Sequence, residues 1–432
     1  MEENTHQAII PSKNIVNKIK KNKSTKIVKG EPHFYMDGDM KRLSTPWSIA
    51  STRAKMIDGE KLPPGVILDP AAGSGVQLLA YSKELRRPSL GIELERDIAE
   101  LCAANMEINS EEGVHRSLDR ILIGDGTDAE NAITSYWSSL RENGNNAQPP
   151  IAMLHLDPAR PRDAQNHSIE EMKPDIRLVL KNWSKFLQKG PEGPAVILDL
   201  SPRLDSVQRA AIDGILETSF PGSPRTWEWL SQGGGRVDRL SVWLGAMSSN
   251  QHRRCIRMGR KNIIAMIEGL DDEIPSVISF NKPPDFGAWI SIVDPTLFHS
   301  GLHNVWLKDA VTPGTGCNWI RTEGRRPLLI HTDPLRDDQN VQGFVVASGK
   351  IIQHRLTPPE IHTIDLVADS VSGKGIGKIT LRCSLNPDIH PTLQRRLDKA
   401  LKEKKGERAF MIDMEIFRGG RRQDLFVVCK EK

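Results

Sequence analysis

Short apolar runs, each closed by an acidic residue, recur along the first half of the chain and alternate with stretches of helical spacing. Val66, Ile67 and Leu68 end at Asp69, residues 89–92 end at Glu93, and Arg120–Ile123 ends in Gly124-Asp125-Gly126. Ile151–Leu156 ends at Asp157-Pro158, and residues 195–198 end near Asp199. Between them, Val76–Leu85 sets Leu78, Leu79 and Leu85 at helical spacing. Arg96–Asn109 does the same with Ile98, Leu101, Cys102 and Met106. Residues 170–187 are expected to form one long helix. This β-α-β-α order predicts a Rossmann-like, doubly wound α/β fold with a parallel sheet and helices on both faces. Residues 226–230 and 240–244 are two further strands separated by Gly233-Gly234-Gly235, which predicts an antiparallel hairpin at the sheet edge. Strands are expected at 343–352, 377–382, 408–417 and 424–429, with an amphipathic helix at 391–403 carrying Arg395, Arg396, Lys399 and Lys402. This second pattern predicts a smaller C-terminal α+β domain with a basic surface.

The chain has 432 residues, so about two to three domains are expected. The divisions read from the pattern are a basic flexible tail at 1–30, an α/β domain at 31–280 and an α+β domain at 281–432. Within 1–30, Lys18, Lys20, Lys21 and Lys23 interrupt any apolar stripe, which favours a loose tail. Hydrophobic residues at 38% and charged residues at 26% fit a water-soluble globular chain. No apolar run approaches membrane-spanning length, and no secretory leader pattern opens the sequence. The five cysteines are scattered, without the pairs of a zinc ribbon or disulfide framework, so a cytoplasmic setting is expected. His299 and His303 share a helical spacing, but no Glu or Cys completes a metal site.

Charge changes this picture. The net charge of +4 is unevenly spread. Residues 1–30 hold seven lysines against Glu2 and Glu3, a net +5, and residues 374–432 hold fifteen Lys/Arg against eight Asp/Glu, a net +7. The residues between therefore carry −8. Basic ends around an acidic middle suggest a polyanionic partner held outside the central domain.

Ligands of open parallel sheets bind at the carboxyl ends of the strands, where this chain places Asp69, Glu93, Asp125 and Asp157. The loop Asp69-Pro70-Ala71-Ala72-Gly73-Ser74-Gly75 has small residues that admit close backbone approach. It lacks the third glycine of a dinucleotide fingerprint. Its acid would repel a phosphate and attract an ammonium group. S-adenosyl-L-methionine carries an ammonium and a sulfonium. Glu93 is placed for the ribose hydroxyls and Asp125 for the adenine amino group.

Asp69-Pro-x-x-Gly-Ser-Gly, Glu93, Gly124-Asp125 and Asp157-Pro158-Ala159-Arg160 together resemble class I S-adenosylmethionine-dependent methyltransferases. The pattern is more closely similar to a prokaryotic group with a THUMP-like C-terminal domain, which is RNA methyltransferase-like. Thr45-Pro46 with Ala50, Arg53 and Ala54 carries that closer likeness, as do the Asp-Pro-Ala-Arg loop, Trp229-Leu-Ser-Gln-Gly-Gly, Val293-Asp-Pro and the ending at 379–428. The resemblance spans roughly residues 40–430. It implies cofactor contacts at Asp69, Pro70, Ala71, Gly73, Gly75, Glu93, Leu94, Asp125 and Gly126, and an active-site role for Asp157, Pro158, Ala159 and Arg160. It also implies an RNA partner, tRNA or rRNA, with Thr45 and Arg53 on the substrate side. Amine methyltransferases place a proline and an aromatic ring where Ala159 and Arg160 stand, and Pro161 follows. Base stacking at position 160 would therefore fall to a guanidinium plane. Arg162 near the rim, and Arg418, Arg421 and Arg422 around Gly419-Gly420, are expected to contact phosphate. No cysteine lies in the Asp157 or Asp199 loops, which favours a base nitrogen over ring carbon as acceptor. The alternatives are a DNA or protein substrate, or a non-catalytic RNA-binding protein on a relic methyltransferase fold.

Overall fold

The computed structural model describes residues 6–21, 25–26, 28–110, 116–159, 168–355 and 357–432. The chain divides into two compact units. The first comprises residues 1–229, 238–254 and 259–263, and the second comprises residues 230–237, 255–258 and 264–432. The sequence-based boundary at 280 therefore falls late by one strand and misses two short pieces that belong to the second unit.

In chain order the first unit contains β1 (Gln7–Ile9), α1 (Lys13–Lys20), β2 (Thr25–Lys26), β3 (Phe34–Tyr35), α2 (Gly38–Leu43) and α3 (Trp47–Ala54). Then follow β4 (Val66–Asp69), α4 (Val76–Leu85), β5 (Ser89–Glu93), α5 (Arg96–Asn109), β6 (Arg120–Ile123), α6 (Ala129–Glu142) and β7 (Ile151–Leu156). It continues through α7 (Ile176–Trp183), β8 (Lys189–Gly190), β9 (Gly193–Leu200), α8 (Ser206–Ser219), β10 (Arg225–Ser231) and β11 (Arg239–Leu244). The sheet runs β1-β6-β5-β4-β7-β9-β11-β10. Pairings β4–β5, β5–β6, β4–β7 and β7–β9 are parallel. The central strands are mostly apolar because helices cover both faces, and β4 and β7 are buried at every position. From β4 the chain winds outward to β6 and then returns to β7 on the other side. The order thus reverses between β4 and β7, which places a ligand crevice at their carboxyl ends.

Three sequence-based expectations are corrected. The first is the flexible tail. β1 pairs antiparallel with β6, and Val16 and Ile19 of α1 pack with Tyr35, Leu101 and Ala104. Lys18 and Lys20 fall on the solvent face, so Val16 and Ile19, three apart, still make a buried stripe. The second is the long helix at 170–187. Pro174 precedes a shorter helix capped by Asp175, whose Oδ1 accepts from Arg177 N at 2.8 Å. The third is the edge hairpin. β11 lies inside the sheet, antiparallel to β9 from Leu240 opposite Leu200 to Leu244 opposite Val196, and β10 lies beyond it. The buried sequence Leu-Ser-Val-Trp-Leu suits that interior place.

The second unit is a mixed seven-stranded sheet, as expected of an α+β domain. Its order is Cys317–Arg321 (β15), Leu328–His331 (β16), Trp289–Val293 (β14), Val345–Arg355 (β17), Arg421–Glu431 (β20), Glu407–Arg418 (β19) and Ile376–Leu381 (β18). In chain order, Arg253–Met258 (β12) and Ile263–Gly269 (β13) precede these strands. Helices Ile364–Ser372 and His390–Ala400 bury Ile364, Val367, Val371, Leu393 and Leu397 with β18 and β19 residues. β19 and β20 are joined by Gly419 and Gly420, both at positive φ, the backbone that a two-residue hairpin turn requires.

Candidate cofactor and active site

The loop after β4 is built for close approach. Asp69 is 2% exposed, and its Oδ1 accepts from Ala71 N at 3.0 Å. Gly75 caps α4 with φ +77°, and a Cβ there would stand 2.7 Å from Cys102 Sγ. Glycine therefore lets α5 pack against the turn. A Cβ on Gly73 would meet no atom closer than 4.0 Å, so this face of the loop is open. Gly73 N donates to Glu93 Oε2 at 3.0 Å, and Glu95 N to Oε1 at 3.2 Å. A carboxylate has about four lone-pair positions, so Glu93 can still accept from hydroxyls. Burial raises the Glu93 pKa.

Leu94 follows with 71% exposure. Asp125 is exposed as well; its Oδ1 accepts from the Thr127 N–H and hydroxyl, each at 2.8 Å, and its Oδ2 has no partner among the described residues. The rim therefore runs half-buried acid, exposed apolar side chain, exposed acid. That sequence of groups fits the ribose, the adenine face and the adenine amino edge of an adenosyl group. Gly126 is required by contact, since its Cβ would lie 1.9 Å from the Pro70 carbonyl oxygen. All the expected cofactor residues thus gather on one rim.

Beneath the rim lies a feature that sequence reading missed. His155 is fully buried; its Nδ1 lies 2.8 Å from Asp69 Oδ2 and its Nε2 3.3 Å from Asp199 Oδ2. Arg53 donates to both oxygens of Asp199, at 2.8 and 2.7 Å, and its Nε lies 3.7 Å from Glu228 Oε1. Ser241 Oγ donates to Asp199 Oδ1 at 2.8 Å, and Arg254 pairs with Glu228. Buried acids and bases alternate, each charge facing an opposite one, as the cost of desolvation demands. Burial alone would lower the His155 pKa, but Asp69 and Asp199 lift it to about 9, so the imidazole is charged at neutral pH. Burial opposes ionisation of Asp199, yet Arg53 and His155 hold it well below the usual carboxylate range.

The network reaches the acceptor side through Gln77. Its Oε1 accepts from Arg53 at 3.4 Å, and its Nε2 donates to Asp157 Oδ2 at 2.7 Å. Arg239 stands 3.5 Å from the same oxygen. The Asp157 side chain is 34% exposed. Loss of water and the nearby Asp199 raise its pKa above the usual value, against the pull of Arg239 and His155. Pro158 is buried and Ala159 exposed. Arg160, Pro161 and Arg162 lie outside the described residues.

Arg53 is corrected as a substrate contact: at 0% exposure, with both ends on Asp199, it braces the floor of the site. Thr45 is 4% exposed, one residue from Ser44, whose Oγ lies 3.0 Å from Ser74 Oγ of the loop. Arg418 and Arg421 face each other at the exposed tip of the β19–β20 hairpin, and Arg422 pairs with Glu415. Cys102 is buried beside Gly75 with its thiol pushed up, which denies it a nucleophile's role. Cys255 is buried in the second unit's core and Cys317 packs against it half-buried. No cluster of metal ligands occurs among the described residues. The available signal for the missed floor was a polar residue inside an apolar run: His155 in β7 and Ser241 in β11 are both 0% exposed.

The strand order with its crevice is a methyltransferase fold, as comparison with a solved structure shows. The chain is similar to a protein of Porphyromonas gingivalis W83 described as a candidate methyltransferase, with TM-score 0.52 and 13% identity over 92% of this chain and 84% of that one. It is also similar, over less of its length, to a class I S-adenosylmethionine-dependent methyltransferase candidate of Listeria monocytogenes, with TM-score 0.32, 13% identity, and 48% and 61% of the two chains covered. No protein-family model matches the chain, and no curated protein matches it.

Proposed function

We propose that the chain is an S-adenosyl-L-methionine-dependent methyltransferase that acts on RNA, tRNA or rRNA, at a base nitrogen. The observation that carries the cofactor reading is the rim of Glu93, Leu94 and Asp125 beside an open Gly73 loop. Glu93 would hold the ribose hydroxyls, Leu94 the adenine face, Asp125 the adenine edge, and the loop 69–75 the amino-acid end. The cofactor supplies an electrophilic methyl group when bound. Asp157 would then orient an acceptor N–H through its exposed oxygen while Gln77 and Arg239 fix the other. Its raised pKa suits a group that takes a proton as the nitrogen is methylated. The RNA reading is supported by the basic chain ends around an acidic centre and by the arginine hairpin tip at Arg418, Arg421 and Arg422.

Titration calorimetry with S-adenosylmethionine and its demethylated product tests the cofactor; absence of binding by either removes the proposal's foundation. Nucleoside mass spectrometry of RNA from cells with and without the gene tests the acceptor. A methylated base nitrogen lost with the gene is expected, whereas methylated DNA as the sole difference would replace the RNA reading.

A further inference from the structure

The second unit contains a cleft of about 500 Å³ lined by Arg321, Arg325 and Arg326, by Ser384, and by His390 at the start of helix His390–Ala400; one acid, Glu323, is also in the lining. Its charges are unbalanced. Arg321 is neutralised by Asp413 at 3.0 Å. The exposed Arg325 guanidinium has no hydrogen-bond or ion-pair partner among the described residues. Arg326 uses Nη1 on two carbonyl oxygens, those of Arg382 and Cys383, at 2.6 and 3.0 Å, and faces no carboxylate there. Arg382, whose carbonyl accepts from Arg326, is half-buried with an unpartnered buried Nε. Loss of water and the neighbouring Arg326 both lower the Arg382 pKa, against the opposing pull of Glu431.

The geometry has a supporting frame. Gly235, at φ +74°, packs on the Arg325 backbone so closely that a Cβ would lie 2.7 Å from its carbonyl oxygen. The triglycine segment thereby fixes the turn that presents Arg325. Guanidinium forks match phosphate oxygens in pairs, and the positive end of a helix N-terminus adds to the same field.

We infer that the cleft lined by Arg325 and Arg326 is a phosphate-binding site that takes the backbone or terminal phosphate of a nucleic-acid chain. This deepens the RNA reading above and rests on it for the polymer, while the phosphate chemistry could also come from a free mononucleotide. The experiment uses the full chain and two probes: a fluorescent single-stranded RNA of about ten nucleotides and AMP as competitor. Arg325→Ala is expected to weaken RNA binding about tenfold and to reduce the slope of log affinity against log salt by about 0.7, one phosphate contact on a single strand. Arg325→Glu weakens it further. A purely structural residue would leave that salt slope alone. Displacement of RNA by AMP assigns a mononucleotide, and failure to displace assigns the polymer; either supports the site. Arg325 is exposed and unpartnered, so an unchanged thermal transition shows that folding is intact. Unchanged affinity and salt slope in both variants would overturn the inference. No methyl donor enters the assay, so failure of the methylation reading is seen separately, in the nucleoside analysis.

Discussion

Replacing Arg53 by methionine tests the buried floor most directly. The guanidinium is 0% exposed, bonds Asp199 at 2.8 and 2.7 Å, and stands 3.7 Å from Glu228. Methionine keeps much of the volume and removes the charge. Asp199 is 2% and Glu228 1% exposed, so water cannot replace the lost partner. Breaking a buried pair from one side costs about 3–5 kcal/mol, which for a unit of this size lowers its melting temperature by about 10 °C. Differential scanning calorimetry of the full chain is the appropriate assay, because two units need not unfold in one transition. Lysine at 53 should fall between, since a single ammonium cannot span both carboxylate oxygens. The double variant Arg53→Met, Asp199→Asn should recover part of the loss, because the stranded charge is gone. A shift below about 2 °C in Arg53→Met, or a double variant no more stable than the single, would refute the view that these charges depend on each other.

The remaining predictions address the titratable groups and the rim. The folded His155 pKa of about 9 lies above the ordinary histidine value, so its contribution is complete at pH below about 6.5 and is lost as pH rises through 9. Stability should drop by an amount on the order of 3 kcal/mol across that window, and His155→Gln should flatten the profile in denaturant titrations at successive pH values. Asp199 works in the other direction: its lowered pKa stabilises above the ordinary carboxylate value and is lost as pH falls. Asp157→Asn should cut methyl transfer at least about a hundredfold while leaving calorimetric binding of the demethylated cofactor within error; equal losses in both would make its role structural. Gly126→Ala should weaken cofactor binding by disturbing Pro70, 1.9 Å from the added Cβ, and a normal dissociation constant in that variant would show that the two rim loops move independently.

What the sequence made legible was the part in which local pattern and chemistry coincide. The strands β4, β5, β6, β7 and β9 carry apolar runs that close at or within two residues of an acid, so their positions and the rim could be read together. The antiparallel place of β11 was hidden because burial on both faces leaves no alternation to set its neighbours. The terminal tail misled because a lysine-rich helix needs only Val16 and Ile19 to dock. Arg53 misled for the opposite reason: a motif marks that a residue matters but not which way it points. Its function depends on Asp199, 146 residues away in sequence, and on His155 between that acid and Asp69. Asp69, 2% exposed, takes its partner from His155, Asp157 is oriented by Gln77, and the buried Arg53 is matched by Asp199. The visible carboxylates therefore require a floor of opposite charge, which sequence can demand in principle but only the packed strands can supply.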